Sequence, residues 1–146
     1  MIWLAVAMAN ESLPTPYTAE QIQDAFPVGT VLEFELDEAG SERRSVWKVE
    51  AADAESVTFS FDGVRSEPAK WESLRLHASF PSDQAERTEA KLTTALGELD
   101  CWHYVVQGEP RKDYWFSKAH PGPPVLMTAT TAAGVEVLRM EQVVRK

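Results

Sequence analysis

Apolar and polar residues alternate with a period of two over three consecutive stretches in the first half of the chain. The apolar positions are Leu32, Phe34 and Leu36, then Trp47, Val49 and Ala51, then Val57, Phe59 and Phe61. Because successive side chains of a strand point to opposite faces of its sheet, this pattern predicts three half-buried strands. The turn residues between the stretches favour an antiparallel meander.

Two short segments break this alternation and predict helices. Thr18 and Gln21 have the spacing of a capping box, which marks the beginning of the first helix. In the second segment we expect Ser66 to cap a helix. Its apolar residues recur at helical spacing and are Trp71, Leu74 and Ala78.

The second half of the chain predicts the rest of the sheet. Residues 84–94 form a polar, threonine-bearing run, typical of an edge strand, whereas residues 99–107 carry apolar side chains on both faces, typical of a central one. Further strands are expected over residues 114–116, 125–130 and 135–144. The predicted fold class is therefore mainly β (α+β): an antiparallel sheet of seven or eight strands with one or two short helices packed on it.

Chain length and charge narrow the classes of function. The 146 residues suit a single domain that can bury a core without disulfide or metal staples. The net charge of -9 repels phosphate backbones and anionic headgroups, so we expect no nucleic-acid partner and no membrane-surface partner. No stretch approaches the roughly 20 apolar residues that a spanning helix needs, so no membrane span is expected.

The first sixteen residues differ in composition from the rest. Residues 2–9 are uncharged and apolar and end in a small-x-small pattern, like the end of a signal peptide, and residues 10–16 contain two prolines, like a linker. We therefore expect a truncated export leader and linker over residues 1–16 and one domain over residues 17–146, in a periplasmic or secreted protein. An N-terminal strand of a cytoplasmic protein is the alternative for residues 2–9.

Candidate chemistry is sparse, and no catalytic residue is assigned. Cys101 and His103 stand two residues apart and share one face of a predicted strand, where an imidazole can activate a thiol; this is the enzyme alternative. A buried structural cysteine is the competing interpretation. The side chains considered for a metal are those of Asp100, His77, His103 and His120. They lack the short paired spacing of zinc sites, so neither a metal nor a cofactor is expected.

Aromatic residues are the strongest indication of function. The candidate ligand-binding residues are Trp47, Phe59, Trp71, Trp102, Tyr104 and Trp115. Aromatic-lined sheets hold apolar ligands or protein segments, which are therefore the expected partners. The alternation explains most of these positions equally well as inward-facing core. Both interpretations remain open from the sequence.

Three stretches of the later half resemble a known kind of domain. They are residues 94–102, the run Tyr114, Trp115, Phe116, and the proline-rich residues 121–125. Together they look like the later half of bacterial envelope domains of uncharacterised function that are similar to the half-barrel of lipoprotein carriers. This resemblance implies a curved, half-barrel-like antiparallel sheet around a helix, with an apolar concavity and no catalytic residues. Those domains carry a lipid-attachment cysteine after the leader, which this chain lacks.

Overall fold

The computed structural model describes residues 11–146, which form one open, curved antiparallel sheet and two short helices. The helices are α1 (Ala19–Ala25) and α2 (Trp71–Leu76). The strands are β1 (Val31–Glu38), β2 (Ser41–Ala52), β3 (Ser56–Phe61), β4 (Val64–Arg65), β5 (Ala69–Lys70), β6 (Ala85–Thr94), β7 (Gly97–Val106), β8 (Arg111–Ser117), β9 (Leu126–Thr130) and β10 (Glu136–Arg145).

The strands follow the order β4-β3-β2-β1-β10-β9-β8-β7-β6, and β5 pairs with β3 beside β4. Every neighbouring pair is antiparallel, and the last strand, β10, lies between β1 and β9. The predicted mainly β, antiparallel fold with two short helices is confirmed. The described strands exceed the expected seven or eight because β4 and β5 are two-residue strands that have no room for an alternating pattern.

The first helix begins where its capping signal predicts. The Thr18 hydroxyl accepts the backbone N–H of Gln21 at 3.1 Å, and the Gln21 side chain accepts the backbone N–H of Thr18 at 2.9 Å. These two bonds satisfy amides that the first turn of a helix leaves unpaired.

The second helix begins later than predicted, and Ser66 does not cap it. Its N-cap is Lys70, whose side chain makes no capping hydrogen bond. Residues 64–65 and 69–70 pair with β3, and the Ser66 hydroxyl accepts the backbone N–H of Phe59 at 3.3 Å. The Ser66 hydroxyl, which the sequence predicts as a helix cap, therefore accepts from the backbone amide of Phe59 in β3 instead.

Residues 11–16 belong to the domain, although the sequence predicted a linker with order beginning at Tyr17. Ser12 bridges to Pro81, the Leu13 N–H donates to the Phe80 carbonyl at 2.8 Å, and Leu13 packs against the main core. The prolines of this segment suit extended backbone that pairs with a neighbouring chain segment. The leader-like stretch over residues 2–9 lies outside the described residues.

The core lies on the concave face of the sheet, which carries both helices. Its fully buried side chains on the sheet include Leu32, Phe34, Val49 and Tyr104. A smaller cluster on the opposite face contains Leu99, Cys101 and Val125, so β7 is covered on both faces as predicted. The strand is one position from the sheet edge, because β6 is the edge strand that its polar sequence predicts. Neither helix described within residues 11–146 is long and apolar enough to cross a membrane.

Candidate functional site

An apolar cavity of about 590 Å³ lies between the concave face of the sheet and the helices. This volume is within the range of sites that enclose one small ligand or a few side chains. The aromatic lining residues are Phe26, Trp47, Phe59, Phe61, Tyr114 and Phe116. Met127 and Met140, which face each other on β9 and β10, complete the sheet side with adaptable thioethers.

The register between β2 and β3 brings two of the lining aromatics together. Trp47 on β2 is opposite Phe61 on β3, and their ring centroids are 5.1 Å apart in an edge-on arrangement. The indole N–H of Trp47 donates to the Ser45 hydroxyl at 3.1 Å, which fixes the ring. Phe61 remains 38% exposed, so it forms part of the mouth of the cavity.

The loop before β9 and the end of α1 form a second wall. Gly122 has a φ of 140°, and a Cβ at this position would lie 2.5 Å from Cζ of Phe26. The Arg145 guanidinium lies 5.2 Å from the centre of the Phe26 ring, and its Nη2 donates to the carbonyls of Ala25 and Pro121. The phenyl ring is therefore held between the loop and the C-terminal strand.

Tyr114 supplies the principal ionisable group on the β8 side of the cavity. Its ring stacks on Phe80 with centroids 5.1 Å apart. Burial raises the pKa of Tyr114, so its hydroxyl stays neutral and can donate a hydrogen bond at physiological pH. Tyr114 thus adds a neutral hydrogen-bonding group, and no charge, to the mainly apolar lining of the cavity.

The structure brings two of the six candidate aromatics to the cavity, namely Trp47 and Phe59. Trp71 is 3% exposed, and its indole N–H donates to the Asp53 carbonyl at 2.9 Å. Tyr104 is fully buried, and its hydroxyl donates to the Pro14 carbonyl. These last two are placed as core residues.

The other two candidates lie away from the cavity. Trp102 is half-buried, with the Arg87 guanidinium 4.1 Å and the Lys118 ammonium 4.2 Å from its ring centre. Trp115 lies on the opposite face of the sheet, where its ring stacks on His103 with centroids 4.3 Å apart. Trp102 is thus covered by two cationic side chains and Trp115 by an imidazole, and neither ring lines the cavity.

Several lining residues were outside the candidate set. Phe61 and Phe116 belong to predicted strands rich in aromatics, and the alternation that includes Phe59 also includes Phe61. Met127 and Met140 are inward positions of the last two predicted strands. The alternation of inward and outward positions along these strands is the sequence signal that identifies the four strand residues. The position of Phe26 in the lining depends instead on the packing of the loop at Gly122, which the local sequence does not specify.

The enzyme alternative lacks an accessible nucleophile. Cys101 is fully buried, and burial raises the pKa of its thiol, which disfavours the reactive thiolate. His103 Nε2 lies 2.8 Å from a carboxylate oxygen of Asp113, which also accepts two hydrogen bonds from Arg111 at 2.9 and 3.0 Å. The imidazole is thus engaged by a carboxylate and an indole, in a structural cluster on the convex face.

No cluster of three or more metal-ligating side chains occurs among residues 11–146. Of the histidines considered for a metal, His77 is exposed at the lining of the cavity. His120 is partly buried, and this burial lowers the pKa of its imidazole.

The fold is similar to solved structures at low sequence identity. MucB in the Pseudomonas aeruginosa MucA/MucB complex matches with a TM-score of 0.52 and 9% identity, over 87% of this chain and 54% of that chain. MucB in complex with MucA(peri) matches with a TM-score of 0.50 and 10% identity, over 88% and 55%. A "putative lipoprotein" from Parabacteroides distasonis matches with a TM-score of 0.50 and 10% identity, over 84% and 98%.

At these identities the likeness shows the fold. This chain spans about half the length of the MucB chains that it matches. No protein-family model and no curated protein matches the sequence.

Proposed function

We propose that this domain is a non-enzymatic binding module of the bacterial envelope that holds an apolar group in its concave cavity. The observation that carries the proposal is the 590 Å³ cavity itself, which six aromatic and two methionine side chains line. A monomeric domain that only needed a core would gain stability by filling such a space, because voids cost contacts. The burial of the Cys101 thiol and the hydrogen bond of His103 to Asp113 argue against the enzyme alternative.

The envelope location is part of the proposal. A protein described as a "putative lipoprotein" and MucB are among the structures with this fold, and the apolar stretch over residues 2–9 has the composition of the end of an export signal. N-terminal sequencing of the protein from fractionated cells tests this assignment. We expect a periplasmic or secreted chain that begins near Asn10, and a cytoplasmic chain that retains residues 1–9 would contradict it.

Binding is tested with the neutral fluorophore N-phenyl-1-naphthylamine, whose emission rises in apolar surroundings. We expect saturable binding at one site, and we expect Phe61→Asp to weaken it about tenfold, because a carboxylate at the mouth is costly to desolvate. Phe61 is already 38% exposed, so the substitution should leave the fold intact.

Val64→Asp is the matched control, since Val64 is 71% exposed on the adjacent strand and does not line the cavity. Its affinity should equal that of the wild type. Absence of saturable binding, or an equal loss in both variants, would contradict the proposed function.

A further inference from the structure

The charged and exposed groups of the cavity lie at its mouth. Besides Phe61, the exposed lining residues are Glu67, which lies between β4 and β5, and His77, at the C-terminal end of α2. The hydroxyl of the neighbouring Ser66 is already engaged, since it accepts from the Phe59 N–H and donates to the Glu67 carbonyl at 3.1 Å. An incoming molecule therefore meets the carboxylate of Glu67 and the imidazole of His77 before it reaches the aromatic rings.

The charge of this mouth is negative. Glu67 is the acidic residue of the lining, and no lysine or arginine among residues 11–146 lines the cavity. Arg65 and Lys70 belong to the short strands on either side of Glu67, and Arg145 packs on a ring of the cavity wall, but none of the three is a lining residue. The net charge of the chain, -9, has the same sign. The resulting potential attracts cations to the mouth and repels anions from it.

The interior of the cavity suits a hydrocarbon chain better than a polypeptide backbone. Each residue of a peptide brings an N–H and a C=O, and burial of either without a partner is costly. The strands that supply lining residues, namely β2, β3, β8, β9 and β10, each pair with neighbours on both sides. Their backbone groups are therefore directed to other strands of the sheet. An alkyl chain has no polar group to satisfy, and a cavity of 590 Å³ can accommodate one.

We infer that the cavity takes a single-chain amphiphile whose polar end is cationic, with the chain among the aromatic rings and the cationic end at Glu67. The inference rests on the proposed function and specifies its ligand. The Glu67 carboxylate attracts an ammonium group, repels a carboxylate and does neither to a hydroxyl group. Because Glu67 is exposed, water screens this interaction, and we expect a gain of about two- to fivefold in affinity from it.

The test uses three probes with the same chain, dodecylammonium, dodecanol and dodecanoate, each below its micelle concentration. They compete with N-phenyl-1-naphthylamine on the full chain in low salt at about pH 7.5, where the amine is protonated and the acid is ionised. Dodecylammonium should bind most tightly and dodecanoate most weakly, with dissociation constants that differ by about fivefold or more. Tighter binding of dodecanoate than of dodecylammonium would overturn the inference.

Glu67→Gln tests the residue that the inference names, because it removes the charge and keeps the shape of the side chain. The affinity for dodecylammonium should fall by about two- to fivefold, while that for dodecanol stays unchanged. Glu86→Gln is the matched control, since Glu86 is exposed on β6, does not line the cavity and carries the same charge. It should bind all three probes as the wild type does.

Equal losses of dodecylammonium affinity in the two variants would assign the preference to the net charge of the chain and would overturn the role of Glu67. A preference that persists in about 1 M salt, where charges are screened beyond roughly 3 Å, would contradict its electrostatic origin. If the fluorophore binds but none of the three probes displaces it, the inference falls and the proposed function stands. If the fluorophore itself does not bind, both fall.

Discussion

The wall formed by Gly122 and Phe26 gives the sharpest test of the described cavity. In Gly122→Ala the new methyl group would lie 2.5 Å from Cζ and 2.7 Å from Cε2 of Phe26, well inside van der Waals contact. The ring has little room to retreat, because it is 2% exposed and packs edge-on against Phe59 with centroids 5.8 Å apart. The remaining free direction is into the cavity that Phe26 lines.

Two costs add in this variant. An alanine at the φ of 140° that Gly122 adopts costs about 1 to 3 kcal/mol of backbone strain. Forcing an extra carbon into a packed site costs about 1 to 3 kcal/mol more. We therefore expect Gly122→Ala to lower the free energy of unfolding by about 2 to 6 kcal/mol.

Urea unfolding followed by tryptophan fluorescence measures this free energy. Gly134→Ala is the matched control, since Gly134 also has a positive φ, of 82°, but its Cβ would meet no atom within 4 Å. The control reports strain alone, about 1 to 2 kcal/mol, and the difference between the two variants reports the contact with Phe26. Adding Phe26→Leu should then cost less in the Gly122→Ala background than in the wild type.

Equal losses of stability in the two alanine variants would refute the close approach of the loop to Phe26. An additive effect of the double substitution would refute it independently. If the wall is as described, Gly122→Ala also weakens binding of N-phenyl-1-naphthylamine, because the displaced ring occupies the site.

Three further predictions test local features. Thr18→Ala removes the acceptor of the α1 capping box and should lower the free energy of unfolding by about 1 kcal/mol in urea, whereas no loss would contradict the cap. Burial acts to raise the pKa of Asp113, but hydrogen bonds from Arg111 and His103 outweigh it and hold that pKa below its ordinary value. The carboxylate thus stabilises the fold above the unfolded-state pKa of about 3.9, and this contribution is lost as the pH falls through the lower folded-state value. Asp113→Asn should accordingly be less stable than wild type near pH 7 and converge with it in acid, and a gap that persists to about pH 2 would contradict the assignment. Cys101 should react with a thiol reagent only after unfolding, as mass spectrometry of native and urea-treated protein will show; fast native labelling would contradict its burial.

The sequence predicts most of the fold because alternation is a local signal. Leu32, Phe34 and Leu36 are inward on β1 as their spacing indicates, and the capping box of α1 is formed by residues three positions apart. Ser66 was wrong as a cap because its use depends on Phe59, a strand residue whose pairing the local sequence does not specify.

The candidate site was less predictable because inward residues do not all face the same space. Trp47 lines the cavity, whereas Trp71 is buried in the core and its indole N–H donates to the Asp53 carbonyl. Which inward residue faces empty space depends on how the helices and the loop at Gly122 cover the sheet.

The placement of β10 between β1 and β9 has a consequence for the order of folding. A nascent chain that has not yet released Glu136–Arg145 can form two separate half-sheets, β1 to β5 and β6 to β9, each with one unpaired inner edge. Joining them requires contacts between residues more than a hundred positions apart, such as Leu32 with Arg145, and contacts of this kind form slowly. Both open edges are templates for pairing with other chains during that interval. The completed sheet therefore forms only after synthesis of β10, and this one strand both joins the two half-sheets and covers their open edges.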